Sequence, residues 1–187
     1  MLIGKLVRLR RFEKEDLERV LGWINDREVT RFLAARYPFS RAQEEDWIDR
    51  VSKQPPSEGL VLAIELLADS RHIGSIGLHD VHWEDCHASL GIMIGEKDCW
   101  GQGYGSDAIV TLLRFAFDEM NLHRVTLDVL TDNDRAIASY RKCGFVSEGT
   151  LRQAYYQEGR YRDLLTMGVL AGEFRALHGV RQVKAAS

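Results

Sequence analysis

The chain lacks any run of roughly 18 consecutive apolar residues and any segment built like a signal peptide, so neither a membrane-spanning helix nor a secretory leader is expected. Cysteine is scarce. Cys86, Cys99 and Cys143 form no CxxC pair, and their odd number argues for reduced thiols in a cytoplasmic setting rather than a disulfide framework. A surplus of one charge is missing as well. With 25 Lys and Arg facing 28 Asp and Glu, the formal charge of −3 leaves no electrostatic footprint for nucleic acid or an anionic membrane. Only three prolines occur, two of them in Gln54-Pro55-Pro56-Ser57, the one linker-like stretch and too short to separate domains. What remains is 187 residues, 45% hydrophobic and 28% charged, enough to bury a full core as one domain.

The most informative stretch runs from Leu90 to Met120. An apolar run (Leu90, Ile92, Ile94) meets a polar loop with alternate glycines, Gly101, Gly103 and Gly105, and then a long apolar-periodic segment. That order predicts strand, glycine loop and helix. Alternate glycines let backbone N–H groups turn toward one point, and the helix start adds the positive end of its dipole; the product is an anion site sized for phosphates. Three chemistries compete for it. A nucleoside-triphosphate loop needs GxxxxGK[ST], and no Lys-Ser or Lys-Thr follows the glycines. A dinucleotide loop fits better, since residues 103 to 108 read GYGSDA, but the segment upstream reads as hairpins rather than a strand-helix series. The third is a pyrophosphate loop for coenzyme A. A glycine-rich connector without a ligand is the plainer alternative.

Residues 5 to 12 (KLVRLRRF) alternate as a first strand, and a helix should begin near Glu13 with Leu17, Val20, Leu21 and Ile24 as its apolar face. Asn25-Asp26 interrupts it before a short helical piece through Phe32, and Tyr37-Pro38 breaks the chain. Ser40 with Gln43 has capping-box spacing for a third helix whose stripe is Trp47, Ile48 and Val51. Glu44, Glu45, Asp46 and Asp49 lie mostly off that stripe, either as an acidic rim for a cationic substrate or, as we prefer, a solvated face. From Leu60, three runs (LVLAIELLA, HIGSIGLHDVHW, CHASLGIMIG) read as an antiparallel meander. His79, His82, Cys86 and His87 crowd one hairpin, but a strand period of two separates His79 from His82 and no ligand spacing fits, so no metal is expected.

After the glycine helix come a strand, RVTLDVL, and a helix capped by Asp132 or Asn133, with Ala136, Ile137 and Tyr140 on one side and Gly144 as its stop. With WGQGYGSDA and NDRAIASYRKCGF in hand, the chain resembles the GNAT superfamily of acyl-CoA-dependent N-acyltransferases. Its ending, GFVSEGTLRQAYYQEGRYRDLLTMGVL, looks like the branch containing ribosomal-protein N-terminal and spermidine acetyltransferases. The likeness is good from Ile73 to Leu170; over residues 1 to 60 it rests on a strand, helices and the phrase WIND. It implies an α/β (α+β) fold with a central mixed, mostly antiparallel, splayed sheet flanked by helices. Residues 1–60 would shape the acceptor side, 72–170 would form the cofactor core, and 175–187 would be a tail.

The resemblance implies acetyl-CoA as co-substrate. Backbone groups of Ile92, Met93 and Ile94 would meet the pantetheine arm where two strands part. Gly101, Gln102, Gly103, Tyr104, Gly105 and Ser106 would hold the pyrophosphate. Asn133 would bond the arm and Tyr140 would stand beside the sulfur, although Asn133 is also explained as a helix cap and Tyr140 as an amphipathic core residue. Two positions depart from the family's habit. Trp100 stands where Gln or Arg is common, which removes a positive side chain from the phosphates, and Ser89 stands where Glu is common, which leaves the base unassigned.

An amine attacking a thioester creates two proton problems. A primary amine with a pKa near 10.4 is neutral in only about one molecule in two thousand at pH 7, and the leaving thiolate needs a donor. Tyr140 is the candidate acid; Glu84, Asp85 and His87, at the start of the strand leading into the cofactor site, are candidate bases, and all three are equally explained as hairpin-turn residues. The reading is an N-acetyltransferase acting on a small molecule, a polyamine or a protein N-terminus. Its rivals are a non-catalytic acyl-CoA-binding regulatory module and an NAD(P)-dependent oxidoreductase. Exposed edges of a splayed sheet leave a homodimer open.

Overall fold

A computed structural model describes residues 1–35 and 38–179. Tyr37 of the expected break, and residues 180–187 of the expected tail, lie outside the described residues. Among the described residues, eight strands form one sheet: β1 Leu2–Ile3, β2 Val7–Arg10, β3 Leu60–Leu66, β4 His72–His82, β5 His87–Ile94, β6 Arg124–Leu130, β7 Val146–Gln157 and β8 Arg160–Leu170. Their spatial order is β1-β2-β3-β4-β5-β6-β8-β7. Every pairing is antiparallel except β5 with β6, which is parallel. The meander read from Leu60 onward is β3, β4 and β5. The α-helices that flank the sheet among the described residues are α1 Leu17–Ile24, α2 Arg27–Thr30, α3 Arg41–Lys53, α4 Tyr104–Asp118, α5 Asp134–Cys143 and α6 Ala171–His178.

The strand period of two divides the apolar residues between two cores. On β3, Leu62, Ile64 and Leu66 face a large core shared with Ile109, Leu112 and Leu113 of α4, whereas Ala63 faces a smaller one made by Phe12, Val20, Trp23, Ile48 and Val51. Burial on both sides explains why β3 reads as a nearly unbroken apolar run. The first helix begins later than its sequence suggests. A 3-10 turn at Lys14–Asp16 precedes α1, because Asp16 is drawn into the protein and accepts from the backbone N–H of Glu13. Trp23, not Leu21, is the buried anchor of α1; its ring covers Gly95, where an added Cβ would lie 2.0 Å from the indole.

Charges tie this helical layer to the sheet. Arg10 holds Asp16 through two bonds of 2.7 and 2.8 Å and Glu65 through one of 2.6 Å, Arg8 also holds Glu65, and His72 Nδ1 stands 2.9 Å from Asp16. Burial raises the Asp16 carboxyl, but hydrogen bonds from Arg10 and His72 outweigh it and hold the group well below the usual carboxylate range. Helix α3 starts on the Ser40–Gln43 capping box that its sequence announces. Glu44 corrects the stripe assignment: it is buried, and burial raises its pKa. At the far edge, the Tyr155 hydroxyl of β7 donates to the Leu33 carbonyl at 2.7 Å, and the Arg162 guanidinium of β8 sits 5.8 Å from the Phe32 ring centroid. These contacts fasten the segment after α2 to the last hairpin.

Candidate active site

The parallel joint between β5 and β6 is short. Register pairs run His87 to Arg124, Ala88 to Val125 and Ser89 to Thr126, and beyond Ser89 the strands separate. The opening lies on a cavity of about 1060 Å³ lined by Ile92, Met93 and Ile94 of β5 and by Gly101, Gly103, Gly105 and Ser106 of the glycine loop. Gly101 and Gly103 have φ of +76° and +87°, so a side chain at either position would strain the loop, and Gly103 caps α4 in the left-handed conformation. Gly105 differs. It lies inside α4, where an added Cβ would meet Ile94 and Ile92 at ordinary distances of 3.7 and 3.8 Å. The first turn of α4 is pinned from outside by Asp107, whose carboxylate accepts from the backbone N–H groups of Lys5, Leu6 and Val7.

Two expected loop residues are not part of the cavity lining. The Gln102 amide folds back to the Asp98 carbonyl, and the Tyr104 ring packs against the large core. From α5, Asn133 and Tyr140 both line the cavity. The Asn133 Oδ1 accepts from the Ala136 N–H at 3.3 Å, so its cap role is realised and its NH₂ group stays available. The Tyr140 ring meets Phe145 edge-on at 5.9 Å. Among the described residues its hydroxyl has no hydrogen-bond partner. Burial pushes it up to about 12, with a lesser push from Cys143, so the hydroxyl is protonated at neutral pH.

The charge missing at Trp100 is supplied from α5. The Trp100 indole donates to the Ile94 carbonyl at 2.8 Å, and the Arg135 guanidinium lies over its ring at 4.5 Å. Arg135 and Lys142, seven residues on along the same helix, line the cavity and form no ion pair among the described residues. This juxtaposition was hidden in the sequence because it joins positions 100 and 135, which only the tertiary fold brings together.

Glu84, Asp85 and His87 lie elsewhere. Glu84 and Asp85 are exposed in the turn that joins β4 to β5, and none of the three lines the cavity, because that turn abuts the end of β5 where β6 still closes the sheet. The His82 and His87 rings stack at 4.4 Å there, and with Asp85 they bring ligand atoms within 4.8 Å of one another. A bulge between His79 and His82 breaks the strict alternation on which their separation was argued. The side chains that do line the acceptor end come from four elements and one loop. Glu28, Asp80, Asp128 and Glu148 line the cavity together with Arg31 and Arg124, and Glu28 is paired with Lys97 at 2.6 Å. Arg124 bonds Glu148 at 2.6 Å, and Asp128 accepts from the Thr166 hydroxyl at 2.6 Å.

The family profile described as Acetyltransferase (GNAT) domain matches residues 7–146. Among curated proteins, the chain is 26% identical over 172 residues to a spermidine N(1)-acetyltransferase of Escherichia coli K12, covering 92% of this chain and 90% of that protein. It is 31% identical over 109 residues to the putative ribosomal N-acetyltransferase YdaF of Bacillus subtilis, covering 58% of this chain and 59% of that protein. The crystal structure of spermidine N-acetyltransferase from Vibrio cholerae in complex with CoA and spermine superposes with a TM-score of 0.81 at 26% identity, covering 90% of this chain and 97% of that one. The dinucleotide reading of GYGSDA fails on the same ground as its sheet: the loop follows an antiparallel meander.

Proposed function

The chain belongs to the acetyltransferase (GNAT) family and is an acetyl-CoA-dependent N-acetyltransferase; from that premise we propose that its acceptor is a primary amine on a cationic small molecule of the polyamine class. The observation that carries the proposal is the polarity of the cavity. Its strand wall carries Asp80, Asp128 and Glu148 on β4, β6 and β7, whereas Arg135, stacked on Trp100 beside the glycine loop, and Lys142 of the same helix line it from α5. A polyamine suits the first and a nucleotide phosphate the second. Relatives named for spermidine acetylation support the same choice.

When bound, acetyl-CoA supplies the thioester. The residues fit it: the α4 N-terminus and the left-handed glycines offer N–H groups to the pyrophosphate, Arg135 adds the cation absent at Trp100, and Asn133 retains donors for the arm. Strand N–H groups near Met93 receive the negative charge that grows on the carbonyl oxygen, and Tyr140 delivers a proton to the departing sulfur. Three free cysteines accord with work in the reducing cytoplasm. Strand β7 is a long edge with Val146, Leu151 and Tyr156 exposed, a surface on which a second copy can pair.

Thiol release from acetyl-CoA, measured with spermidine, an N-terminal peptide and an amino sugar, tests the acceptor. Spermidine should give the highest kcat/KM. Faster turnover of the peptide would overturn the polyamine assignment.

A further inference from the structure

Resting on that reading, we infer that His79 is the general base for the attacking amine and that Asp80 positions it. His79 is the register partner of Ser89, the last residue of β5 before the strands part, and both line the cavity. Two residues farther on the same face lies Gly91, where an added Cβ would stand 3.7 Å from His79 Nε2 and 3.8 Å from its Cδ2. The imidazole edge therefore overhangs the start of the opening. Its other nitrogen, Nδ1, is 2.7 Å from Asp80 Oδ2. A carboxylate only accepts, so Nδ1 carries the hydrogen and Nε2 presents its lone pair over Gly91.

The local backbone is shaped to make that pair. Asp80 has φ of +50°, a left-handed conformation unfavourable for a residue with a side chain, and it lies in the β4 bulge between His79 and His82. In a regular strand neighbouring side chains point to opposite faces and could not meet. The bulge brings the carboxylate round to the ring. Strain and irregularity at one point on a sheet, spent on a histidine–carboxylate contact beside the cavity, accord with a functional constraint.

The proton traffic balances. The ammonium nitrogen loses one proton before attack and one as the N–C bond forms; Nε2 takes each in turn and returns it to solvent, to which His79 is exposed. The C–S bond breaks with its electron pair on sulfur, sulfur takes the Tyr140 proton, and solvent restores the tyrosine. One proton is released per turnover.

The test is the acetylation rate of spermidine as a function of pH, with acetyl-CoA affinity measured separately by calorimetry. His79→Ala should lower kcat/KM at pH 7 by about 10²- to 10⁴-fold, leave acetyl-CoA affinity unchanged, and alter the pH profile of kcat/KM that a side-chain general base imposes. Asp80, Asp128, Glu148, Glu28, Arg124 and Arg31 also line the cavity, and all are unchanged in this variant. Added imidazole should restore part of the rate to His79→Ala but not to wild type. Asp80→Asn should lose roughly tenfold and respond less to imidazole. A His79→Ala enzyme that keeps more than half the wild-type rate with the same profile overturns the assignment alone. A wild type that binds acetyl-CoA yet acetylates no amine overturns the functional reading and this inference together.

Discussion

The two ends of the cavity are built by different means. On the proposed reading the cofactor end relies mainly on the backbone of consecutive residues, the freed edge of β5, two left-handed glycines and the first turn of α4 within residues 90 to 106, with Asn133, Arg135 and Lys142 added from α5. The acceptor end is made from side chains that arrive on α2, the segment after it, β4, β6 and β7. A backbone site is set by local conformation, so it is written as a contiguous motif. A side-chain site depends on how distant elements pack.

Five changes would sharpen or break that division. Tyr140→Phe removes only a hydroxyl from the boundary between the two ends, and it should cost about 10²- to 10⁴-fold in the chemical step while leaving both affinities unchanged. Single-turnover rates decide it; a variant keeping more than half the wild-type chemical rate would make Tyr140 a packing residue. Asp16→Asn should act on one end only. It breaks the buried contacts to Arg10 and His72 and should cost about 3–5 kcal/mol of stability, with KM for the amine rising more than the Kd of acetyl-CoA, because the start of α1 is held to β2 and β4 through this network. The pH signature has a definite sign. Asp16 and Glu65 are both depressed in the folded protein, so their contribution is complete above about pH 4 and is lost as pH falls below it. Urea midpoints from pH 7 downward should therefore decline less steeply in Asp16→Asn.

Gly103→Val should weaken acetyl-CoA by roughly tenfold, since a β-branched residue at φ +87° costs about 1–2 kcal/mol in the geometry that binding requires. Gly105→Ala is the contrasting control, because its Cβ meets only ordinary contacts and the position is helical. Equal losses in the two variants would show that space, not backbone conformation, makes the site. Arg135→Ala is expected to be the smallest, a few-fold loss of acetyl-CoA affinity that shrinks as salt is raised. No change at low ionic strength would return the whole task to the loop.

Legibility in the sequence followed the same division. The strand, glycine loop and helix, the Ser40 cap, the Asn133 cap and the Gly144 stop all stand where spacing put them, because each is decided within a few residues. The acceptor end was not readable in that way. Glu84 and Asp85 were attractive for their nearness along the chain to β5, yet β5 carries the opening away from its own beginning. The contact of His79 with Asp80 could not be read from strand alternation, because the shift in register between His79 and His82 interrupts it. Glu44 looked solvated because a helical wheel does not show what another element lays over it.

The bond from Tyr155 to Leu33 also bears on the order of events as the chain is made. Its partners are 122 positions apart. At about 5–20 residues added per second, a ribosome exposes Leu33 roughly 6–24 s before Tyr155. During that interval the strand β5, glycine loop and helix α4 have already been synthesised as one contiguous stretch, whereas the segment carrying Phe32 and Leu33 has no clasp. A nascent chain stalled before the last hairpin should therefore lack the bond that fixes the segment after α2, and that wall of the cavity should close only as synthesis ends.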